Sequence, residues 1–185
     1  MNALEIINLG EKELRQKNIE TSRLDSELLL SKILNKNREE ILIDLNQKIC
    51  KRHFSKHKEL IIRRSKNEPM AYIMEEKEFW SKIFLVSSDT LIPRPETELI
   101  VEKLVKIFKE KKISILDIGT GSGCILISLL GELINSRGVG IDISKKALVV
   151  AKKNAKKHKI SNNIKFVYKS LNHKICQKFD LIVSN

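Results

Sequence analysis

Aromatic residues make up 5% of this 185-residue chain, with a single Trp, and proline and cysteine occur three times each. Cys50, Cys124 and Cys176 are widely separated and form no C-x-x-C pair. A disulfide framework or a zinc site is therefore not expected, and a reducing, cytoplasmic setting is. His53 and His57 stand at metal-ligand spacing on a predicted helix, but in K-R-H-F-S-K-H-K. Cations so close oppose a divalent ion, so this stretch reads as a solvated helix face and no metal is expected. No apolar run approaches the ~20 residues needed to cross a bilayer. The start, M-N-A-L-E-I-I-N, lacks the basic region and apolar core of a secretory signal. Acidic residues are in deficit, 23 against 35 basic ones, for a net charge of +12. That balance favours anionic partners, among them RNA and the ribosomal environment. A general richness in Lys, Ile and Asn explains it equally well, and the scarcity of aromatic residues among the Lys runs gives no stacking platform.

What is present is enough apolar residue, 42%, to bury a core in one large domain or two small ones. The most informative stretch is Ile113–Gly123, I-S-I-L-D-I-G-T-G-S-G. An apolar strand, Ile113–Ile118, runs into alternating Gly119, Gly121 and Gly123, and an apolar helix-length run, Cys124–Leu130, follows. Strand, glycine turn and helix open a nucleotide-binding α/β unit. A dinucleotide fingerprint needs Gly or Ala at 124, where Cys124 stands. The spacing here is D-x-G-x-G-x-G, beginning at Asp117. It resembles the first motif of S-adenosylmethionine (AdoMet) methyltransferases, whose ligand carries a charged amino group suited to an acidic neighbourhood. A second strand, Gly138–Asp142, ends in an acid 23 residues after Gly119, near the ~20 expected of a ribose-binding carboxylate. The plainer role of Asp142 is to cap the next helix, although Ser144 is the better cap.

Upstream, residues 1–75 read as a small helical bundle. Helices are predicted around Leu4–Leu14, from Thr21-Ser22 to Leu34 along Leu24, Leu28, Leu29 and Ile33, over Arg38–Leu45 and over Arg52–Arg64. Pro69 closes the last of them. Phe79-Trp80 and Ile83–Val86 read as a β-hairpin in a linker, residues 76–92. In L-I-P-R-P-E-T-E-L-I-V, residues 91–101, two prolines hold Arg94 rigidly and a helix runs from Glu96 to Phe108. Arg94 and Glu96 read as ligand or substrate contacts, as a lock between the two domains, or as parts of a stiff linker with a solvated Arg.

P-M-A-Y-I, E-F-W, L-I-P-R-P-E-T-E, L-D-I-G-T-G-S-G, G-I-D-I-S-K-K-A-L and F-D-L-I-V-S-N occur in this order. Together they resemble the release-factor glutamine methyltransferase (HemK) family over essentially the whole chain. The resemblance implies an α/β fold: a helical N-terminal substrate-recognition domain, then a Rossmann-like AdoMet-dependent methyltransferase domain over residues 93–185. It implies transfer of a methyl group to the side-chain amide of the Gly-Gly-Gln glutamine in peptide-chain release factors. Carried over residue by residue, Asp117, Gly119, Thr120, Gly121, Ser122 and Gly123 form the AdoMet turn and Asp142 binds the ribose. Ser170 or Leu171, after a third strand at Ile164–Tyr168, falls beside the adenine. Asn67 and Glu75 stand where the family prefers glycine.

Asn185 follows a fourth strand, Phe179–Ser184, and begins the family's Asn-Pro-Pro-Tyr motif. The resemblance assigns it to catalysis, touching both cofactor and substrate: its side chain accepts an N–H of the acceptor amide and aims the nitrogen at the methyl donor. Because the motif and later strands are cut, the 185-residue chain is expected to be a truncated methyltransferase, weak or inactive alone. Two other readings stay open: a methyltransferase of an exocyclic amine on a DNA or rRNA base, and a non-catalytic binding remnant.

Overall fold

The computed structural model describes residues 1–170 and 177–185. The chain divides into two compact units, Met1–Met74 and Glu75–Asn185.

The first unit is helical: α1 Ala3–Arg15, α2 Ser22–Leu34, α3 Arg38–Ile43, α4 Lys51–Ser65 and α5 Met70–Met74. Asn2 and Glu5 close a reciprocal capping box on α1, and Asn37 and Glu40 do the same on α3. Thr21 occupies the N-cap position of α2, but its hydroxyl donates to Asp25 instead of capping. The buried face of α2 is more polar than the leucine pattern suggests. Ser26, Asp25 and Glu27 are buried beside Leu29 and Leu30, and Leu24 points outward. Glu27 bridges Arg23 and Arg38, and Asp25 pairs with Arg64, so each buried carboxylate has a cationic partner. His57 corrects the solvated-face expectation. It is 2% exposed, with Nε2 3.1 Å from the Ser26 carbonyl oxygen, while the Ser26 hydroxyl donates to the Ile7 carbonyl. Desolvation lowers its pKa, partly opposed by the Ser26 carbonyl. It is a core histidine, because α4 turns that side chain inward and leaves its lysines outside.

The second unit opens with a hairpin, β1 Glu76–Phe79 and β2 Lys82–Leu85. The hairpin is not a free linker: Phe79 and Phe84 are buried in this unit's main hydrophobic cluster. Its two-residue turn puts Trp80 and Ser81 at φ 52° and 51°, the twist that suits a tight hairpin, with neither glycine nor asparagine to ease it. The Trp80 backbone N–H donates to Glu98 and its indole N–H to Glu132, which holds the turn.

A short 3-10 turn, Pro95–Thr97, leads into α6 Glu98–Phe108. Then strands and helices alternate: β3 Ser114–Ile118, α7 Cys124–Glu132, β4 Arg137–Asp142, α8 Lys145–Lys157, β5 Ile164–Tyr168 and β6 Leu181–Ser184. The four strands form one parallel sheet in the order β5-β4-β3-β6. The predicted α/β class and all four strands are present. The order reverses between β3 and β6, and in such sheets ligands bind beyond the carboxyl ends of the strands at that switch point. Among the described residues no helix is long and apolar enough to cross a membrane.

Candidate active site

Gly119, Gly121 and Gly123 have φ of 71°, 54° and 80°, a region side chains enter only at a cost. A Cβ placed on Gly119 would meet nothing within 4 Å, so open space lies against the backbone where a ligand would approach. The turn is fastened from β4. Gly119 and Thr120 N–H groups donate to the Ile141 carbonyl at 2.9 and 3.0 Å. The Gly121 N–H donates to Asp142 Oδ2 at 2.9 Å, and the Ser144 N–H donates to Asp142 Oδ1 at 2.8 Å. Asp142 therefore holds the turn and starts α8 at once, and Ser144 caps α8 by accepting from Ala147. Each Asp142 oxygen retains a lone-pair direction for a hydroxyl.

Asp117 lies beneath the turn, 2% exposed, and accepts from the Thr120 hydroxyl at 2.6 Å. Burial pushes its pKa up to about 6, with the nearby Asp142 charge adding and the Thr120 bond opposing. The Ser122 hydroxyl is buried with no hydrogen-bond partner to an oxygen or nitrogen. Beside it, burial raises the Cys124 thiol to about 11, so this cysteine stays a neutral packing group.

Two residues that the sequence pattern did not single out lie beside these groups. Ile143, directly after Asp142, is 74% exposed, an apolar surface next to the carboxylate. Thr97 is buried, and its Oγ1 accepts from Asn185 Nδ2 at 3.1 Å. Since Asn185 spends a donor there, its Oδ1 is left as an acceptor. Thr97 belongs to the Pro-Arg-Pro-Glu-Thr-Glu stretch, whose Arg94 and Glu96 are both exposed. Of that stretch, it is the threonine that touches Asn185. Ser170, half-buried, follows β5; Leu171 lies outside the described residues.

A glycine turn open at Gly119, at the switch point of a parallel sheet and flanked by two carboxylates, defines a methyltransferase domain, and residues 109–185 match the methyltransferase domain family. Residues 5–74 match the PrmC N-terminal domain. Over 90% of its length the chain is 42% identical to the release factor glutamine methyltransferase of Buchnera aphidicola subsp. Schizaphis graminum, covering 60% of that protein. Over 98% it is 40% identical to the enzyme of the same name from Leptospira interrogans, covering 65%. It is also 37% identical to a bifunctional methyltransferase of Rickettsia typhi, covering 39% of it. With both domains in this order, the chain is similar to release factor glutamine methyltransferases over most of its length. It spans from about two fifths to about two thirds of the length of these relatives.

Proposed function

We propose that this chain binds AdoMet and positions the glutamine amide of a peptide-chain release factor for N-methylation, in the cytoplasm. The observation that carries this is the meeting of the glycine turn and Asn185 at the ends of two paired strands, β3 and β6. The residues fit AdoMet: open space at Gly119 admits the ligand close to the backbone, and the free lone pairs of Asp142 suit two neighbouring ribose hydroxyls. Ile143 offers an apolar face for the adenine. Bound there, AdoMet supplies an electrophilic methyl group on a sulfonium sulfur.

The chain's own part is orientation. An amide nitrogen is a poor nucleophile because its lone pair is delocalised, so alignment and stabilisation of its developing charge carry the catalysis. Thr97 fixes the Asn185 amide, and Asn185 Oδ1 accepts one N–H of the substrate amide. The test, made with this chain completed by the missing strands of the domain, is transfer of labelled methyl from AdoMet to a release factor and, in parallel, to ribosomal RNA and DNA. The label is expected on the Gly-Gly-Gln glutamine, and Asn185→Ala should lower the rate by about a hundredfold or more while AdoMet still binds. Label in nucleic acid but not in the release factor would overturn this reading.

A further inference from the structure

We propose that the outer surface of α8 and β5 binds the phosphate backbone of structured RNA. The net charge of this protein is not spread along it. Residues 1–142 hold 24 basic and 22 acidic residues; residues 143–179 hold 11 lysines, no arginine and no acidic residue. Compositional bias toward lysine does not produce such a segment, since it leaves acidic residues in place elsewhere. At the chain's average of about one acid in eight, four or five belong here.

The fold gathers the α8 and β5 part of this segment onto one face. In α8 the small and apolar side chains Ala147, Leu148, Ala151 and Ala155 are buried, and Lys145, Lys146, Lys152, Lys153, Lys156 and Lys157 are exposed. Exposed Lys159 and Lys165 continue the surface onto β5. Of these eight lysines, only Lys146 has a carboxylate partner among the described residues, Asp89 at 3.6 Å. Unpaired like charges repel, and a polyanion relieves the repulsion. The face also has shape: Lys152, Lys156, Lys165 and Ser161 rim a shallow groove of about 420 Å³ whose floor includes Ile164 and Phe166.

The chemistry favours RNA over an acidic peptide or a lipid surface. α8 spends its apolar stripe on its own sheet, so it has little to insert into a bilayer. Its charged face runs for about 20 Å at 1.5 Å per residue, a length suited to successive phosphates. The lysines carry no arginine forks, and the exposed aromatic beside them, Tyr168, is covered by Lys145 5.0 Å from its ring centre, so contacts to backbone phosphates dominate and binding should depend on shape more than on sequence.

The test is fluorescence anisotropy with a labelled RNA duplex of about 20 base pairs. Two triple charge reversals of equal net charge are compared: Lys152→Glu/Lys156→Glu/Lys165→Glu, and Lys51→Glu/Arg52→Glu/Lys56→Glu on α4. The first should weaken binding at least about tenfold and the second far less. Lys152→Gln/Lys156→Gln/Lys165→Gln, a gentler change if the reversal unfolds the chain, should reduce the slope of log affinity against log salt by about two to three. The proposal is overturned if wild type ignores the duplex or if both reversals act alike. It is equally overturned if phosphatidylserine vesicles or a polyglutamate peptide bind as tightly as RNA.

Discussion

Asp117 is a carboxylate folded away from water under a turn that must hold its shape. Its folded pKa is about 6, against an ordinary 3.8. Raising the folded pKa means that the native chain binds more protons than the unfolded chain between those values. The stability it contributes is full below the unfolded value and is lost as pH rises through about 6, a loss of about 3 kcal/mol. Asp117→Asn keeps an acceptor for the Thr120 hydroxyl and removes the charge. It should be more stable than wild type in urea unfolding near neutral pH, with the advantage gone below about pH 4; an offset independent of pH would refute this. A second residue carries strain of another kind. Glu75 has φ 63°, as does Asn67, so both turns hold a left-handed backbone without glycine. Glu75→Gly should raise stability by about 0.5–1 kcal/mol, a rise in Tm of about 1–4 °C. Single residues were legible in the sequence wherever chemistry left little choice: glycines at positive φ, and an acid ending β4. Thr97 was not, because its contact with Asn185 spans 88 residues and no local pattern records it.

Among the elements, α8 shows what periodicity conceals. Within K-K-N-A-K-K, Asn154 resembles one more surface residue, yet it is fully buried. Its Oδ1 accepts the Leu85 N–H at 2.7 Å, and its Nδ2 donates to the Leu85 and Ser122 carbonyls at 2.9 Å each. One side chain thereby ties β2 to the glycine turn. Asn154→Ala strands a buried N–H and two carbonyls and should cost about 2–4 kcal/mol. Calorimetry should also show AdoMet affinity down by about tenfold. Ser128→Ala is the comparison, since that buried hydroxyl has no partner to lose and should leave both quantities nearly unchanged. A lower Tm with unaltered AdoMet affinity would make Asn154 structural only. The strands themselves were visible from the sequence because buried parallel strands are short apolar runs bounded by glycine and polar residues. The placement of the hairpin was not, because Phe79 and Phe84 say that they are buried but not against what.

For the whole molecule, each compact unit has its own core. Residues 1–74 enclose two hydrophobic clusters, around Ile6, Ile7 and Leu30 and around Leu14, Leu29 and Ile61. Expressed alone, that stretch should fold and melt cooperatively by circular dichroism. His57 gives it a pH signature. Its folded pKa lies below the ordinary 6.5, so its contribution is full above that value and declines as pH falls through the lowered one. The isolated unit should melt at a lower temperature near pH 5 than near pH 7.5, and His57→Gln should flatten the difference. In the other unit, β3 and β6 run side by side with Ile118 opposite Ser184. The turn that follows one and the asparagine that follows the other therefore start a single strand spacing apart, about 4.8 Å. The sheet acts as a ruler fixed by backbone hydrogen bonds. On the proposed function, donor and acceptor meet without a hinge to set their distance, and the loops around them are free to change what is recognised while the separation at which chemistry happens stays the same.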